Sequence, residues 1–159
     1  MRDIKGQGFI YFRVGVLWMM FVVFGCKKEI ETNQKIKPPV RSYTVTARID
    51  KKGTNTDSEG TAVMKGLYSE ETKLLSYRLE YAKIIPEQIT LRSGAKGSKG
   101  TLVKELYVKS RDGQSKPLTG ELSLTPLDER NLFKGYWFVV VNTSVSTPEI
   151  SGVLTLKQN

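Results

Sequence analysis

Apolar and polar residues alternate one by one through most of the chain after Ser42. In the first such stretch, Tyr43, Val45, Ala47 and Ile49 alternate with polar or charged residues. Successive side chains of a β-strand point to opposite faces of the sheet, so this two-residue period predicts a strand with one buried and one exposed face. The same period returns several times, separated by short stretches rich in the turn residues glycine, asparagine, aspartate, serine and proline.

These stretches predict about eight short strands. They cover residues 42–50, 60–68, 72–81, 88–92, 101–109, 118–125, 136–141 and 149–157. The seventh is apolar on both faces, which indicates a central strand, and Gly152 in the last indicates a bulge or a close approach of two backbones. Short strands at such regular spacing are typical of an antiparallel β-sandwich or a Greek-key barrel. We therefore predict an all-β fold.

One stretch breaks the alternation and predicts a short helix near residues 126–134. Thr125 supplies a hydroxyl suited to an N-cap, Pro126 fits the first helical position, and Asp128 places negative charge in the first turn. Gly135 then fits the end of the helix, where a left-handed backbone is common. Regular alternation of strands and helices is absent from the pattern, so a parallel sheet is not expected.

An uncharged apolar run lies near the N terminus and ends at the only cysteine, Cys26. The run covers the 12 residues 14–25 and follows the basic residues Arg2, Lys5 and Arg13. It is too short to cross the hydrocarbon core of a bilayer, which takes about 20 helical residues. Its length and the preceding positive charge are typical of an export signal.

The residues around Cys26 resemble the lipobox of bacterial lipoproteins, in which a branched apolar residue and small residues precede a cysteine. Val23 and Gly25 match this pattern, whereas Phe24 is bulkier than the usual residue. The resemblance implies cleavage before Cys26 and transfer of lipid to its thiol. Two or more acyl chains anchor a protein far more firmly than one. The alternatives are an N-terminal transmembrane anchor or a cysteine packed in the core.

This interpretation divides the chain into three parts. We predict a signal peptide over residues 1–25, a lipidated cysteine with a flexible tether over residues 26–41, and a β domain over residues 42–159. Residues 29–41 are polar, lack periodicity and include Pro38-Pro39, which is typical of a linker. We expect a membrane-anchored protein of the cell envelope, in the outer membrane and facing the periplasm or the surface, whose first partner is the membrane that holds the lipid.

The chain is basic, with 25 lysine and arginine residues against 16 aspartate and glutamate residues. A basic surface attracts anionic partners, although evenly spread lysines also discourage aggregation. The most suggestive group is in the glycine-rich loop after the fourth predicted strand, where Arg92, Lys96 and Lys99 accompany exposed backbone N–H groups. We predict a candidate site for an anionic envelope polymer or protein, the alternative being a plain connection between strands. We expect a monomer with no nucleic-acid partner.

The composition gives little support to catalysis or metal binding. The chain has no histidine, and its one cysteine would be acylated, so the usual zinc and copper ligands are missing and we predict no metal or cofactor. Six aromatic residues on the strands could stack on a sugar or a peptide but are more often core: Tyr77, Tyr81, Tyr107, Tyr136, Trp137 and Phe138. An envelope hydrolase that uses carboxylates or a Ser–Lys pair, such as Ser98-Lys99 or Ser115-Lys116, is the alternative to a non-catalytic module.

The order of motifs over residues 43–156 resembles the CHRD domain, a β-rich module named after chordin that also occurs in bacterial secreted proteins. The segments that carry the resemblance are residues 60–62, 74–81, 118–122, 125–135, 136–141 and 148–154, with the glycine-rich loop after Leu91. The resemblance implies a binding or structural module. The histidine motifs usual in the family are replaced here by Ile89-Thr90-Leu91-Arg92-Ser93-Gly94 and Val141-Asn142-Thr143, so no histidine-based role carries over.

Overall fold

The computed structural model describes residues 40–95, 97–112 and 117–159. Their strands are β1 (Ser42–Ile49), β2 (Thr61–Ser69), β3 (Leu74–Ala82), β4 (Gln88–Ser93), β5 (Thr101–Val108), β6 (Leu118–Ser123), β7 (Trp137–Asn142), β8 (Ile150–Val153) and β9 (Thr155–Gln158). A 3-10 turn covers Lys51–Gly53, and two helices, α1 and α2, cover Lys109–Asp112 and Pro126–Phe133. Within this part of the chain, no helix has the length and apolar character needed to cross a bilayer.

The strands form two antiparallel sheets that pack face to face. The five-stranded sheet has the order β6-β3-β2-β1-β9, and the four-stranded sheet has the order β5-β4-β7-β8. The prediction of an all-β sandwich with one short helix near residues 126–134 is confirmed; α1 is only a four-residue turn at the end of β5.

The core lies between the sheets and consists of the alternating apolar residues. In β1 every second residue from Tyr43 to Ile49 is buried, and the residues between them are exposed. From the other sheet, Ile89 and Leu91 of β4 and Trp137 of β7 fill the same core. The first five residues of β7 are buried on both faces, as the continuous apolar run predicted. The pattern along the chain thus determined which face of each sheet turns inward.

The predicted single strand over residues 149–157 was wrong, because the segment forms two strands in different sheets. β8 pairs with β7, the chain then passes to the other sheet at the buried Leu154, and β9 pairs with β1. Gly152 makes this possible, since a Cβ there would collide with the carbonyl oxygen of Arg48. Beside it, Asp50 and Ser151 exchange two backbone hydrogen bonds of 3.2 Å. The close approach predicted at Gly152 is therefore confirmed, and it joins one edge of each sheet.

The connections between strands are divided between two ends of the sandwich. The end at which the described chain begins comprises residues 40–42, 69–74, 92–95, 97–101, 123–137 and 158–159, and we call it the entry end. The opposite end comprises residues 50–60, 83–87, 109–112 and 143–149. Helix α2 lies at the entry end because it connects β6 of one sheet to β7 of the other.

Substitution of Gly152 by alanine tests the crossing of the last strands. We expect the free energy of unfolding to fall by about 2–3 kcal/mol, because the new methyl group would press on backbone atoms that cannot turn aside. Val153→Ala, at the neighbouring and 38% exposed position, should cost less than about 1 kcal/mol. Urea unfolding followed by circular dichroism measures both. Equal, small losses in the two variants would contradict the close approach.

Candidate functional site

Helix α2 is fixed onto the sandwich through one carboxylate. Glu129 accepts a hydrogen bond of 2.6 Å from the hydroxyl of Tyr68 and two, of 2.7 and 3.0 Å, from the ammonium of Lys73. The pKa of Glu129 lies below its usual range. The larger cause is the hydrogen bond from the Lys73 ammonium, and the smaller one is the hydrogen bond from the Tyr68 hydroxyl. Burial raises the pKa of Tyr68, and the nearby carboxylate adds to this effect. The phenol therefore remains a neutral donor to a charged acceptor, which is a strong form of hydrogen bond.

Aromatic contacts connect the helix to the point where the chain enters the domain. The ring of Phe133 lies edge-on to Tyr43 at 4.8 Å and to Tyr68 at 5.9 Å between centroids. The hydroxyl of Tyr43 donates to Glu70 at 2.9 Å, and the N–H of Glu70 donates to the carbonyl of Arg41 at 3.0 Å. The helix, the turn between β2 and β3, and the entry segment are thus one connected structure.

The predicted anion-binding loop lies at the same end, and the structure places Arg92 in a role that the sequence did not indicate. Its guanidinium donates from Nε to the carbonyl of Lys99 at 2.7 Å and from Nη2 to the carbonyl of Gly100 at 3.1 Å. Arg92 therefore closes the loop while keeping its positive charge there. Lys99 is exposed, and Lys96 lies outside the described residues.

The loop contacts the end of helix α2. The N–H of Gly94 donates to the carbonyl of Tyr136 at 2.9 Å. The Tyr136 side chain is 44% exposed, and the ammonium of Lys134 lies 5.9 Å from the centre of its ring, a cation–π distance. Arg130, one helical turn before Lys134, is also exposed. The four-residue spacing of Arg130 and Lys134 is a signal that sequence reasoning missed.

The entry end is positively charged as a whole. Its described residues include six basic and four acidic residues, whereas the described residues of the opposite end include five basic and six acidic residues. Three of the four acidic groups are engaged within the domain: Glu70 accepts from Tyr43, Asp128 caps α2 by accepting from the N–H of Thr125 at 3.1 Å, and Glu129 binds Lys73. Exposed cations therefore predominate on this surface, and they attract anions.

The carboxylate of Glu149, at the opposite end, holds two loops together through hydrogen bonds. The hydroxyl of Ser58 donates to its Oε1 at 2.6 Å, and the hydroxyl of Thr143 donates to its Oε2. Thr54 and Thr56 donate to its backbone carbonyl at 2.7 and 2.6 Å. Both carboxylate oxygens thus bind hydroxyls of the protein, an arrangement that stabilises the loops around β8.

The described residues offer little that resembles a recessed active site. A shallow, open depression of about 380 Å³ on the outer face of the five-stranded sheet contains no carboxylate among its lining residues, Lys65, Gly66, Leu67, Ser76, Tyr77 and Arg78. The hydroxyl of Ser98 donates to the carbonyl of Ala95 at 2.7 Å. Across the described ranges, no three histidine, cysteine, aspartate or glutamate side chains gather as metal ligands.

Five of the six aromatic residues considered for stacking are buried, and Tyr136 alone among the six is exposed. Tyr77, Tyr81, Tyr107 and Trp137 belong to the core between the sheets, whereas Phe138 is buried on the other face of β7, beside Gly100.

Strands β4 and β7 are neighbours, and the start of β4 lies beside the end of β7. Ile89 pairs with Val141, and Gln88 pairs with Asn142. The amide of Asn142 donates to Gln88 at 3.2 Å. A comparison of the chain with known protein families, with curated proteins and with solved structures gave no match.

Substitution of Glu129 by glutamine should weaken the attachment of helix α2. We expect a loss of about 1–2 kcal/mol in the free energy of unfolding near pH 7, because Tyr68 and Lys73 lose a charged acceptor. The pKa of Glu129 is lower in the folded state, so this stabilisation is present above the unfolded-state pKa and is lost as the pH falls through the folded-state pKa. The difference between the two proteins should therefore shrink below about pH 4.3.

Urea titrations between pH 7 and pH 3 measure this difference. The control is Glu71→Gln, which removes the same charge from an exposed residue in the neighbouring turn. It should have little effect on the free energy of unfolding. A difference for Glu129→Gln that stays constant down to pH 3 would contradict the assigned role of the carboxylate.

Proposed function

We propose that this protein is a lipid-anchored, non-catalytic β-sandwich of the bacterial cell envelope that offers its basic entry end to an anionic partner. The observation that carries the proposal is the meeting, at one end of the domain, of the entry segment, the basic loop and the end of helix α2. Gly94 and Tyr136 share a backbone hydrogen bond although they are far apart in the chain. Cys26 lies outside the described residues, so the anchor rests on the apolar run and the lipobox resemblance.

The form of this surface favours binding over catalysis. Its cations lie on an exposed loop and on the exterior of a helix, whereas small-molecule sites are usually concave and exclude most water. Several spaced positive charges on such a surface suit a partner that repeats its negative charge, such as an acidic polymer or a layer of headgroups. The loop prediction of Arg92, Lys96 and Lys99 is thereby extended to Arg130 and Lys134.

We also propose that the β domain is of the CHRD type, without the histidines of that family. Two features support this: the sandwich architecture, and the adjacent placement of the two segments in which the family carries its histidine motifs. Thr90 and Arg92 occupy the first segment and Asn142 the second. Side chains of this kind do not supply the imidazole ligands that a zinc or copper site would use.

The anchor is tested on the protein recovered from a bacterium that exports it. We expect the mature chain to begin at Cys26 and to carry the mass of attached acyl groups, because the thiol is the predicted site of lipid transfer. Intact-mass spectrometry measures this, and globomycin, which inhibits the lipoprotein signal peptidase, should leave residues 1–25 attached. An uncleaved, unmodified chain would refute the lipobox interpretation.

The basic surface is tested with heparin as a polyanionic probe. The double variant Lys96→Ala/Lys99→Ala should elute from a heparin column at a lower salt concentration than the unaltered protein, because binding to a polyanion depends on the number of cations in contact. Arg92 is left unchanged, since its loss would open the loop as well as remove charge.

Lys51→Ala/Lys52→Ala is the matched control, because both lysines are exposed in the 3-10 turn at the opposite end. Removal of either pair lowers the net charge by the same amount. Identical elution of the two double variants would rule out a dedicated role for the entry end.

A further inference from the structure

We propose that the partner of the entry end is the anionic headgroup layer of the membrane in which the lipid on Cys26 sits, and that helix α2 lies against this layer. The inference rests on the proposed lipid anchor and names the partner of the same basic surface. It assigns the domain an orientation, with the entry end towards the bilayer and the opposite end away from it.

The first argument is the place at which the anchored part of the chain reaches the domain. Val40 and Arg41 are exposed at the entry end, and Arg41 is bonded through its carbonyl to the turn beside α2. The 14 residues 27–40 separate Cys26 from Arg41 and can span at most about 50 Å. A short connection of this kind keeps the entry end at high effective concentration near the bilayer surface.

The second argument is the composition of the exposed side of α2. Leu127, Arg130 and Lys134 follow one another at spacings of three and four residues, which places them on one face of a helix. Leu127 is 63% exposed, and Phe133 and Tyr136 remain 41% and 44% exposed. Basic residues beside exposed leucine and aromatic side chains are typical of surfaces that lie in a membrane interface, where aromatic rings favour the headgroup level.

The third argument is the arrangement of charge. The acidic groups Glu70, Asp128 and Glu129 are held by hydrogen bonds within the domain, while Arg41, Lys99, Arg130 and Lys134 are exposed. Lys and Arg side chains near an anionic leaflet are each attracted to it, and this attraction decays within a Debye length. A dissolved acidic polymer would use the cations but would leave Leu127, which is 63% exposed, in contact with water, so the membrane accounts for both features.

The experiment uses the processed, lipidated protein reconstituted in vesicles. Because the acylated Cys26 is the only native cysteine, a cysteine placed at Leu127 or at Val145 can be labelled alone with a polarity-sensitive fluorophore. Val145, at the opposite end and 90% exposed, is the control. One set of vesicles contains phosphatidylcholine only, and the other contains phosphatidylcholine with phosphatidylglycerol.

We expect the probe at Leu127, but not that at Val145, to shift to the blue and to be quenched by spin-labelled lipid on the anionic vesicles. The shift should be lost on phosphatidylcholine alone, and in 1 M salt, where the Debye length falls to about 3 Å. Arg130→Glu/Lys134→Glu should abolish the shift, whereas Lys51→Glu/Lys52→Glu, the same charge change at the opposite end, should leave it intact.

Flotation of the same samples separates the two proposals. A protein that floats with both kinds of vesicle, yet shows the same emission at Leu127 and Val145, keeps its anchor and overturns the orientation. A protein that fails to float with phosphatidylcholine vesicles would overturn the proposed lipid anchor. In that case a shift of the Leu127 probe on anionic vesicles would still support the proposal that helix α2 faces the membrane. A shift at Leu127 caused by added heparin and absent with anionic vesicles would assign the surface to a polymer and overturn the membrane proposal.

Discussion

The placement of helix α2 at the entry end depends on the hydrogen bond between the buried Tyr68 and Glu129. A phenol taken out of water must find an acceptor, and in the described part of the chain the carboxylate on α2 provides one at 2.6 Å. Lys73 binds the same carboxylate from the exposed side. This interaction fixes the rotation of the helix about its axis, and Arg130 therefore faces outwards.

A second constraint, at the edge of the sandwich, brings both ends of the described chain together. The backbones of Gly152 and Arg48 approach so closely that β9 can leave β8 and join β1 in the other sheet. β9 continues towards the entry end, where the N–H of Asn159 donates to the carbonyl of Ser42 at 3.1 Å. The first and last described residues therefore lie at the same end of the domain.

The charged residues show why composition alone is a weak guide to a binding surface. Arg92 and Lys99 have the same formal charge, but the guanidinium of Arg92 closes the loop, while Lys99 is exposed. Glu71 and Glu129 are both acidic, yet only Glu129 holds the helix. The entry end therefore presents free cations, because three of its four carboxylates accept hydrogen bonds within the domain and several of its cations are exposed.

The sequence by itself determined the strands, their buried faces and the short capped helix, because these follow from local periods of two residues and from capping chemistry around Thr125 and Asp128. It also indicated the close approach at Gly152 and the basic loop. Only the tertiary structure decided that residues 149–157 change sheets at Leu154, and that the basic loop, the end of α2 and the entry segment share one end. Such contacts join residues far apart in the chain, and they depend on sheet order and helix rotation, which no local pattern encodes.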